Sequence, residues 1–359
     1  MRVALVAPVR PRCGIADYTR ALLPWLRGHT RVELIPSDDE TGRVDYRALG
    51  ERVNAADVGH VQYEHGFFLQ DDDPAGNFDA FMQAVRVPVL ITLHCLPLDD
   101  PRWVRHLHAP QVGCLVHSRH HEAAVRAHEV AGALVAVPHP LPPRVPSTLT
   151  AEEFRRIHDL LGTRVLSIFG FIKAHKGYDL AVDAIGALPD DVVLLLAGGP
   201  QDARDELTLA TLRARAARLG IAERIRVTGY LAEGDVGAAM RATDLVLAPF
   251  TTTTASGSLA TALAWERPVL ASALPQHREI QDAYGCVTLF DQTCPGSLAP
   301  AVRALLDEAS RHETLRTAAR AMRERCTFEA LGRTCVDLYA RLADGGQDRK
   351  STRLNSSHT

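Results

Sequence analysis

The sequence predicts an α/β protein built from two doubly wound domains, and three observations predict it. Twelve short apolar runs alternate with amphipathic segments along nearly the whole chain. A proline cluster (Pro138, Pro140, Pro142, Pro143 and Pro146) interrupts that alternation and reads as a linker. At 359 residues, the series on either side of the linker are each long enough for a core of their own.

The first six runs, short and largely apolar at 2–7, 31–35, 57–63, 88–93, 112–116 and 133–137, look like strands buried on both faces. Between them, Ala16–Leu26, Tyr46–Ala55, Phe78–Val85 and His120–His128 carry helical spacing. A helical segment at 151–161 opens the second series, whose strands fall near 164–169, 192–197, 224–228, 244–248, 268–272 and 286–289. Repeated strand–helix–strand units of this kind give parallel sheets with helices on both faces. The expected division is a first domain over 1–145, a second over 146–326 and a terminal helix over 327–344. The polar, apolar-poor tail 345–359 is expected to be disordered, and its foreign character also fits a cloning or assembly artefact.

Composition narrows the function. A formal net charge of −3 supplies no basic field for nucleic acid or acidic lipid. The 7 cysteines form no C-x-x-C pair, so reduced thiols in a cytoplasmic protein are expected rather than disulfides or a zinc framework. Met1–Val9 is apolar but runs into Arg10 and Arg12 without a cleavage site, as a first buried strand would. No apolar run reaches membrane-spanning length. No G-x-G-x-x-G follows the first strand, against a nicotinamide enzyme. Asp71–Asp73 has the look of a metal-binding D-x-D but no second ligand group nearby, so it reads as a solvated acidic turn and no metal is expected.

Residues 165–177 hold the sharpest local signal: an apolar run ends at Gly170, a lysine-bearing loop follows, and helical spacing resumes at Tyr178. Backbone N–H groups at a helix start, with the Lys176 ammonium, are what a buried phosphate needs. The run Thr251–Ser258 sets small hydroxyl residues and Gly257 before a helix, the pattern of an N-cap whose remaining N–H groups suit a phosphate or sugar oxygen.

These loops belong to a longer set. Gly14-Ile-Ala-Asp-Tyr18, Val61-Gln-Tyr-Glu-His-Gly-Phe-Phe68, Leu90-Ile-Thr-Leu-His94, Val116-His-Ser118 and Val137-Pro-His139 occur in the first half. Phe169–Leu180, Leu196-Ala-Gly-Gly199, Gly229-Tyr-Leu231, Ala242–Pro249 and Arg267–Ser272 occur in the second. In this order, over residues 1–342, the chain resembles the GT-B glycosyltransferases, specifically the retaining family 4 type. The resemblance implies two Rossmann-like domains across a cleft, with a nucleotide-sugar on the C-terminal one and an acceptor on the N-terminal one. It implies no cofactor beyond that donor, no required metal and a hydroxyl-bearing acceptor. A lipid-linked acceptor would add peripheral contact with a membrane.

The resemblance also distributes roles. Lys176 sits on the donor diphosphate, where an ammonium stabilises the charge that gathers on the leaving group. Gly14 lets backbone approach the donor phosphate. Thr253, Ser256, Gly257, Ser258 and Thr261 fall in the donor loop, and Tyr230 offers a stacking face for the base. The family's arginine after Gly170 is here Phe171; Lys173 either replaces its charge or is an ordinary surface lysine. The family's paired glutamates fall on Thr253 and Thr261, which carry no carboxylate. On the acceptor side His94 would orient or polarise the attacking hydroxyl, with Glu64 as a partner. Asp17, His65, Ser118 and His139 lie in matching loops. Asp17 also fits a first-turn acid and Ser118 a helix cap. Glu64 and His65 are adjacent at a strand end, so they are not expected to form one catalytic pair.

The implied activity is transfer of a sugar from a nucleoside-diphosphate sugar to a hydroxyl with retention, in glycan, polysaccharide or glycolipid synthesis. The missing glutamates leave two alternatives: a catalytically silent scaffold of the same fold, or a nucleotide-sugar epimerase.

Overall fold

The structure is a computed structural model describing residues 1–37, 43–253 and 255–355, with side chains through residue 345. The chain divides into two units, one of Met1–Pro140 with the chain from Cys326 onward, the other of Leu141–Arg325. The first crossing therefore falls inside the proline cluster, five residues before the expected boundary at 145.

In the first unit, β1 (Arg2–Ala7), β2 (Arg31–Pro36), β3 (Val58–Tyr63), β4 (Val89–Leu93), β5 (Val112–Val116) and β6 (Leu134–Ala136) form one parallel sheet in the order β2-β1-β3-β4-β5-β6. Both faces of β1, β3, β4 and β5 are covered and these strands are buried nearly throughout, whereas the edge strand β2 alternates exposed Arg31 and Glu33 with half-buried Val32 and Leu34. Val6, Val61, Ile91, Phe78 and Trp103 pack on one face. On the other, Leu5, Leu90 and Leu115 meet the first helix and the last one. That last helix, Phe328–Asn355, docks here through Leu331, Cys335, Leu338 and Leu342, spaced as one helical stripe.

The terminal helix runs past its expected end at 344, into the tail that begins at 345. Its backbone is helical to Asn355. Residues 356–359 lie outside the described residues.

In the second unit, β7 (Arg164–Phe169), β8 (Val192–Ala197), β9 (Ile225–Val227), β10 (Leu245–Ala248), β11 (Val269–Ser272) and β12 (Thr288–Phe290) run parallel in the order β12-β11-β10-β7-β8-β9. Leu166, Ile168, Leu194 and Leu247 face one core; Val165, Val193 and Leu195 face another with Phe154. The strand order reverses between β7 and β10 here and between β1 and β3 in the first unit. In doubly wound sheets the crevice beyond the carboxyl ends at such a reversal is where ligands bind. The loops that carry the candidate residues leave these strands. All seven cysteines are free thiols, and among the described residues no helix is long and apolar enough to cross a membrane.

Candidate functional site

In the second unit, the loop after β7 turns through a short 3-10 segment, Ala174–Lys176, into the helix Tyr178–Gly186. Gly177 makes that junction in the left-handed region at φ 66°, and a Cβ there would stand 1.9 Å from the Pro249 carbonyl. The loops after β7 and β10 are thus held against each other through a position only glycine can occupy. Thr251 N–H reinforces the contact by donating to the His175 carbonyl at 2.9 Å.

This folding drives Lys176 inward. It is 7% exposed, and its ammonium donates to the Phe169 carbonyl at 2.7 Å. A Cβ built on Gly170 would lie 2.9 Å from Lys176 Nζ and 3.4 Å from Ser258 Cβ, so ammonium, Gly170 and the start of the next helix converge. Burial, with the nearby Lys173 charge, pushes the lysine pKa down from 10.5 to about 7. A desolvated ammonium at a helix start is a strong place for an anion.

The helix Gly257–Ala264 begins there, capped by Ser256, whose Oγ accepts from Leu259 N–H at 3.1 Å. Ser256 and Ser258 hydroxyls lie 3.1 Å apart. Thr261 donates its hydroxyl to the Gly257 carbonyl at 2.8 Å, and the Thr253 carbonyl accepts from Gln276 Nε2 at 2.9 Å. Thr254 of the expected run lies outside the described residues. Tyr230, 47% exposed, stacks on Phe171 at 6.1 Å between ring centroids. Lys173 does not share the position of Lys176: its ammonium pairs with the buried Asp205 at 2.8 Å and with Asp202 at 3.4 Å.

In the first unit, Gly14 opens the helix Gly14–Arg27, with nothing described within 4 Å of where its Cβ would be. Asp17, in that first turn, pairs with Arg20 at 2.7 Å. Ser118 is buried and caps the helix Arg119–Arg126, accepting from His121 N–H at 3.1 Å. Asp73 of the acidic turn caps Pro74–Ala84 and pairs with Arg102 at 2.8 Å.

Glu64 and His65 are in contact with each other. The chain leaves β3 and tightens at once into the 3-10 turn His65–Phe67, so the strand's alternation of faces ends at Glu64. Glu64 Oε1 lies 3.1 Å from His65 Nδ1, and Oε2 accepts from Gly66 N–H at 2.7 Å.

His94 is the hub of a network that the sequence reading missed. Its Nε2 is 2.8 Å from Gln62 Oε1, and Gln62 Nε2 is 3.3 Å from His60 Nε2. An amide that accepts from His94 and donates to His60 puts the proton of neutral His94 on Nε2 and its lone pair on Nδ1. His60 in turn meets Thr92 Oγ1 at 2.9 Å and the Tyr339 hydroxyl. On the other side, Tyr18 packs edge-on against His94 at 5.0 Å and donates its hydroxyl to His117 Nε2 at 3.1 Å. His117 Nδ1–H donates to the Val137 carbonyl at 3.0 Å, and His139 Nδ1–H to that of Pro140 at 2.8 Å. Burial, then the neighbouring histidines, pushes the His94 pKa down to about 3, and burial takes His139 to about 4. These rings are neutral at pH 7. The available signal was His60 and Gln62, two polar residues on one face of an otherwise apolar strand, opposite Thr92.

Residues 163–308 match the family model Glycosyl transferases group 1, which covers the whole Lys176 and Gly257 region. The D-inositol 3-phosphate glycosyltransferase of Xylanimonas cellulosilytica is 30% identical over 204 residues, 55% of this chain; the chain covers 48% of that protein, about half its length. Among solved structures, sucrose-phosphate synthase from Thermosynechococcus elongatus superposes with TM-score 0.78 at 16% identity, covering 96% of this chain and 100% of that one. Anabaena HepE in complex with UDP and glucose gives TM-score 0.71 at 15% identity over 97% and 99%. The fold is therefore that of the GT-B glycosyltransferases, and the match to the group 1 model lies within the second unit.

Proposed function

We propose that this chain is a glycosyltransferase of the retaining type that moves a sugar from a nucleoside-diphosphate sugar to an acceptor hydroxyl in glycan synthesis in the cytoplasm, without a required metal. One observation carries the reading: a buried ammonium, Lys176, set beside Gly170 and a capped helix start where the strand order reverses. Charge grows on the diphosphate as the glycosidic bond to it breaks, and a preorganised ammonium in a dry site stabilises that growth. Tyr230 and Phe171 offer the nucleobase a stacked face. On the first unit, neutral His94 would orient or polarise the acceptor hydroxyl, with Glu64 and His65 as hydrogen-bonding partners for the sugar. With threonines at 253 and 261 no carboxylate nucleophile is supplied, so the reading takes departure and attack on one face of the sugar.

Those threonines also favour a second reading. A silent member of the fold would bind the nucleotide through Lys176 and turn nothing over, and Thr261 already donates its hydroxyl to its own helix.

The test is a thermal-shift panel of UDP, GDP, ADP and dTDP and their sugar conjugates, with and without magnesium. UDP, seen with HepE, comes first. A ligand at about a hundred times its Kd adds roughly 2.7 kcal/mol of stability. One diphosphate should stabilise the protein regardless of metal, and Lys176→Ala should abolish that shift. The same variant should lower turnover, donor hydrolysis included, by about 30- to 1000-fold, for 2–4 kcal/mol of lost transition-state stabilisation. Variant activity within about threefold of wild type, the size of an ordinary non-catalytic change, would sink the role of Lys176. Binding without transfer or hydrolysis would select the silent reading.

A further inference from the structure

A different chemistry is gathered at the end of β3. Glu64, His65 and Cys95 bring one carboxylate oxygen, one imidazole nitrogen and one sulfur within 4.8 Å of one another. We propose that these three side chains form a zinc site in the first unit, separate from any role of the donor and additional to the transfer reaction.

The donor set chooses the metal. Thiolate, imidazole and carboxylate together suit a borderline ion of zinc type, whereas calcium and magnesium take oxygen ligands. Three protein ligands with a fourth position for water or another ligand is also the open arrangement of zinc.

The backbone around the trio is shaped to hold it. His65 N–H donates to Cys95 Sγ at 3.2 Å, which holds the sulfur against the turn that carries Glu64 and His65. Gly66 N–H holds Glu64 Oε2 at 2.7 Å, which turns Oε1 toward His65 Nδ1 at 3.1 Å. A Cβ on Gly66 would come within 2.6 Å of Glu64 Oε2, so the glycine makes room for the folded-back carboxylate. The His94 N–H, one residue before Cys95, donates to the Tyr63 carbonyl at 2.9 Å and fixes the two strand ends side by side. Binding replaces one proton: the Cys95 thiol gives its proton to solvent, sulfur and imidazole each contribute a lone pair to the ion, and Glu64 contributes Oε1. No oxidation state changes.

Occupancy takes Glu64 and His65 away from the acceptor, so zinc inhibits the proposed transfer. The binding test does not depend on that activity. The full chain, reduced and under nitrogen, is titrated with Co2+ as a spectroscopic probe and then with Zn2+. One equivalent of Co2+ should give a thiolate-to-cobalt charge-transfer band in the near ultraviolet, bleached by one equivalent of Zn2+ and untouched by excess Mg2+. Cys95→Ser should remove the band. His65→Ala, at a side chain 54% exposed and so tolerant of truncation, should weaken binding by about tenfold or more, since loss of an outer partner alone costs 10–100-fold. A band that survives in Cys95→Ser, stoichiometry spread over several weak sites, or no band at all would overturn the site. If the site holds but transfer is absent, zinc binding stands and the transferase reading fails by itself.

Discussion

Lys176→Met separates what the buried ammonium does for function from what it does to stability. Held at about 7 instead of 10.5 by burial and by Lys173, the charged lysine costs the folded state about 5 kcal/mol at neutral pH and below. The sign follows from which state binds the proton more tightly. Between pH 7 and 10.5 the unfolded chain keeps it and the folded chain does not, so wild-type stability rises with pH by about 1.4 kcal/mol per pH unit in that window from this group. Below pH 7 both states are charged and the full cost is present. Methionine fills a similar volume without charge, but it forfeits the bond to the Phe169 carbonyl, worth about 1.5–3 kcal/mol from a charged donor. The net gain at pH 6–7 is then about 2–3 kcal/mol, or roughly 5–10 °C in Tm for a unit of this size. That advantage should shrink with rising pH and vanish near pH 9. Calorimetry on both proteins at pH 6, 7, 8 and 9 reads it directly. A variant less stable than wild type at pH 6, or a difference that does not move with pH, would show that the ammonium is not held at a cost. The inference that it is kept for an anion would then lose its basis.

Two other outcomes test the supports of each unit. Gly177→Ala should destabilise the second unit by at least about 1–2 kcal/mol from the left-handed backbone alone. The 1.9 Å approach to Pro249 adds to that, so the variant's nucleotide shift should weaken along with its Tm; unchanged values for both would contradict the junction described. Gln62→Leu removes the acceptor of His94 and the amide donor to His60, both inside the first unit. Leaving a buried polar group unmade costs about 1–3 kcal/mol, so a clear fall in Tm is expected. Nitrogen chemical shifts of His94 should also cease to report a proton fixed on Nε2, and an unaltered tautomer would remove Gln62 from its positioning role.

How legible each site was depends on how local its parts are. The Lys176 loop could be read because a strand, a glycine, a lysine and a left-handed glycine lie within one short stretch, and the geometry follows from that stretch. Most of the strands could be read because burial on both faces leaves a largely apolar run, though β2, β3 and β9 each carry polar residues. Their spatial order could not, since alternation of strand and helix is the same whichever neighbour a strand takes. Yet it is that order which sets the loops after β7 and β10 side by side. The network around His94 was illegible for the same reason: Tyr18, Gln62, His117 and His139 meet only through parallel pairing of strands far apart in sequence. The contact between Glu64 and His65 was not legible either, because the chain leaves the strand at Glu64 and its alternation of faces ends there.

The departure from the paired glutamates gains its meaning from Lys173. The sequence left open whether that lysine supplies the charge of the arginine missing at Phe171. Its ammonium is instead held by Asp205, 3% exposed, and by Asp202, so it brings little net positive charge to the loop. On the proposed reading, the anion site of the second unit draws, among the described residues, on the Lys176 ammonium, the N–H groups at the start of Gly257–Ala264, and the hydroxyls of Ser256 and Ser258. Adding two glutamates at 253 and 261 to a site with so little positive charge would raise the cost of holding a diphosphate, whereas threonines add none. On the proposed reading, absence of the acidic pair and absence of a second free cation act together, and diphosphate binding would depend on Lys176.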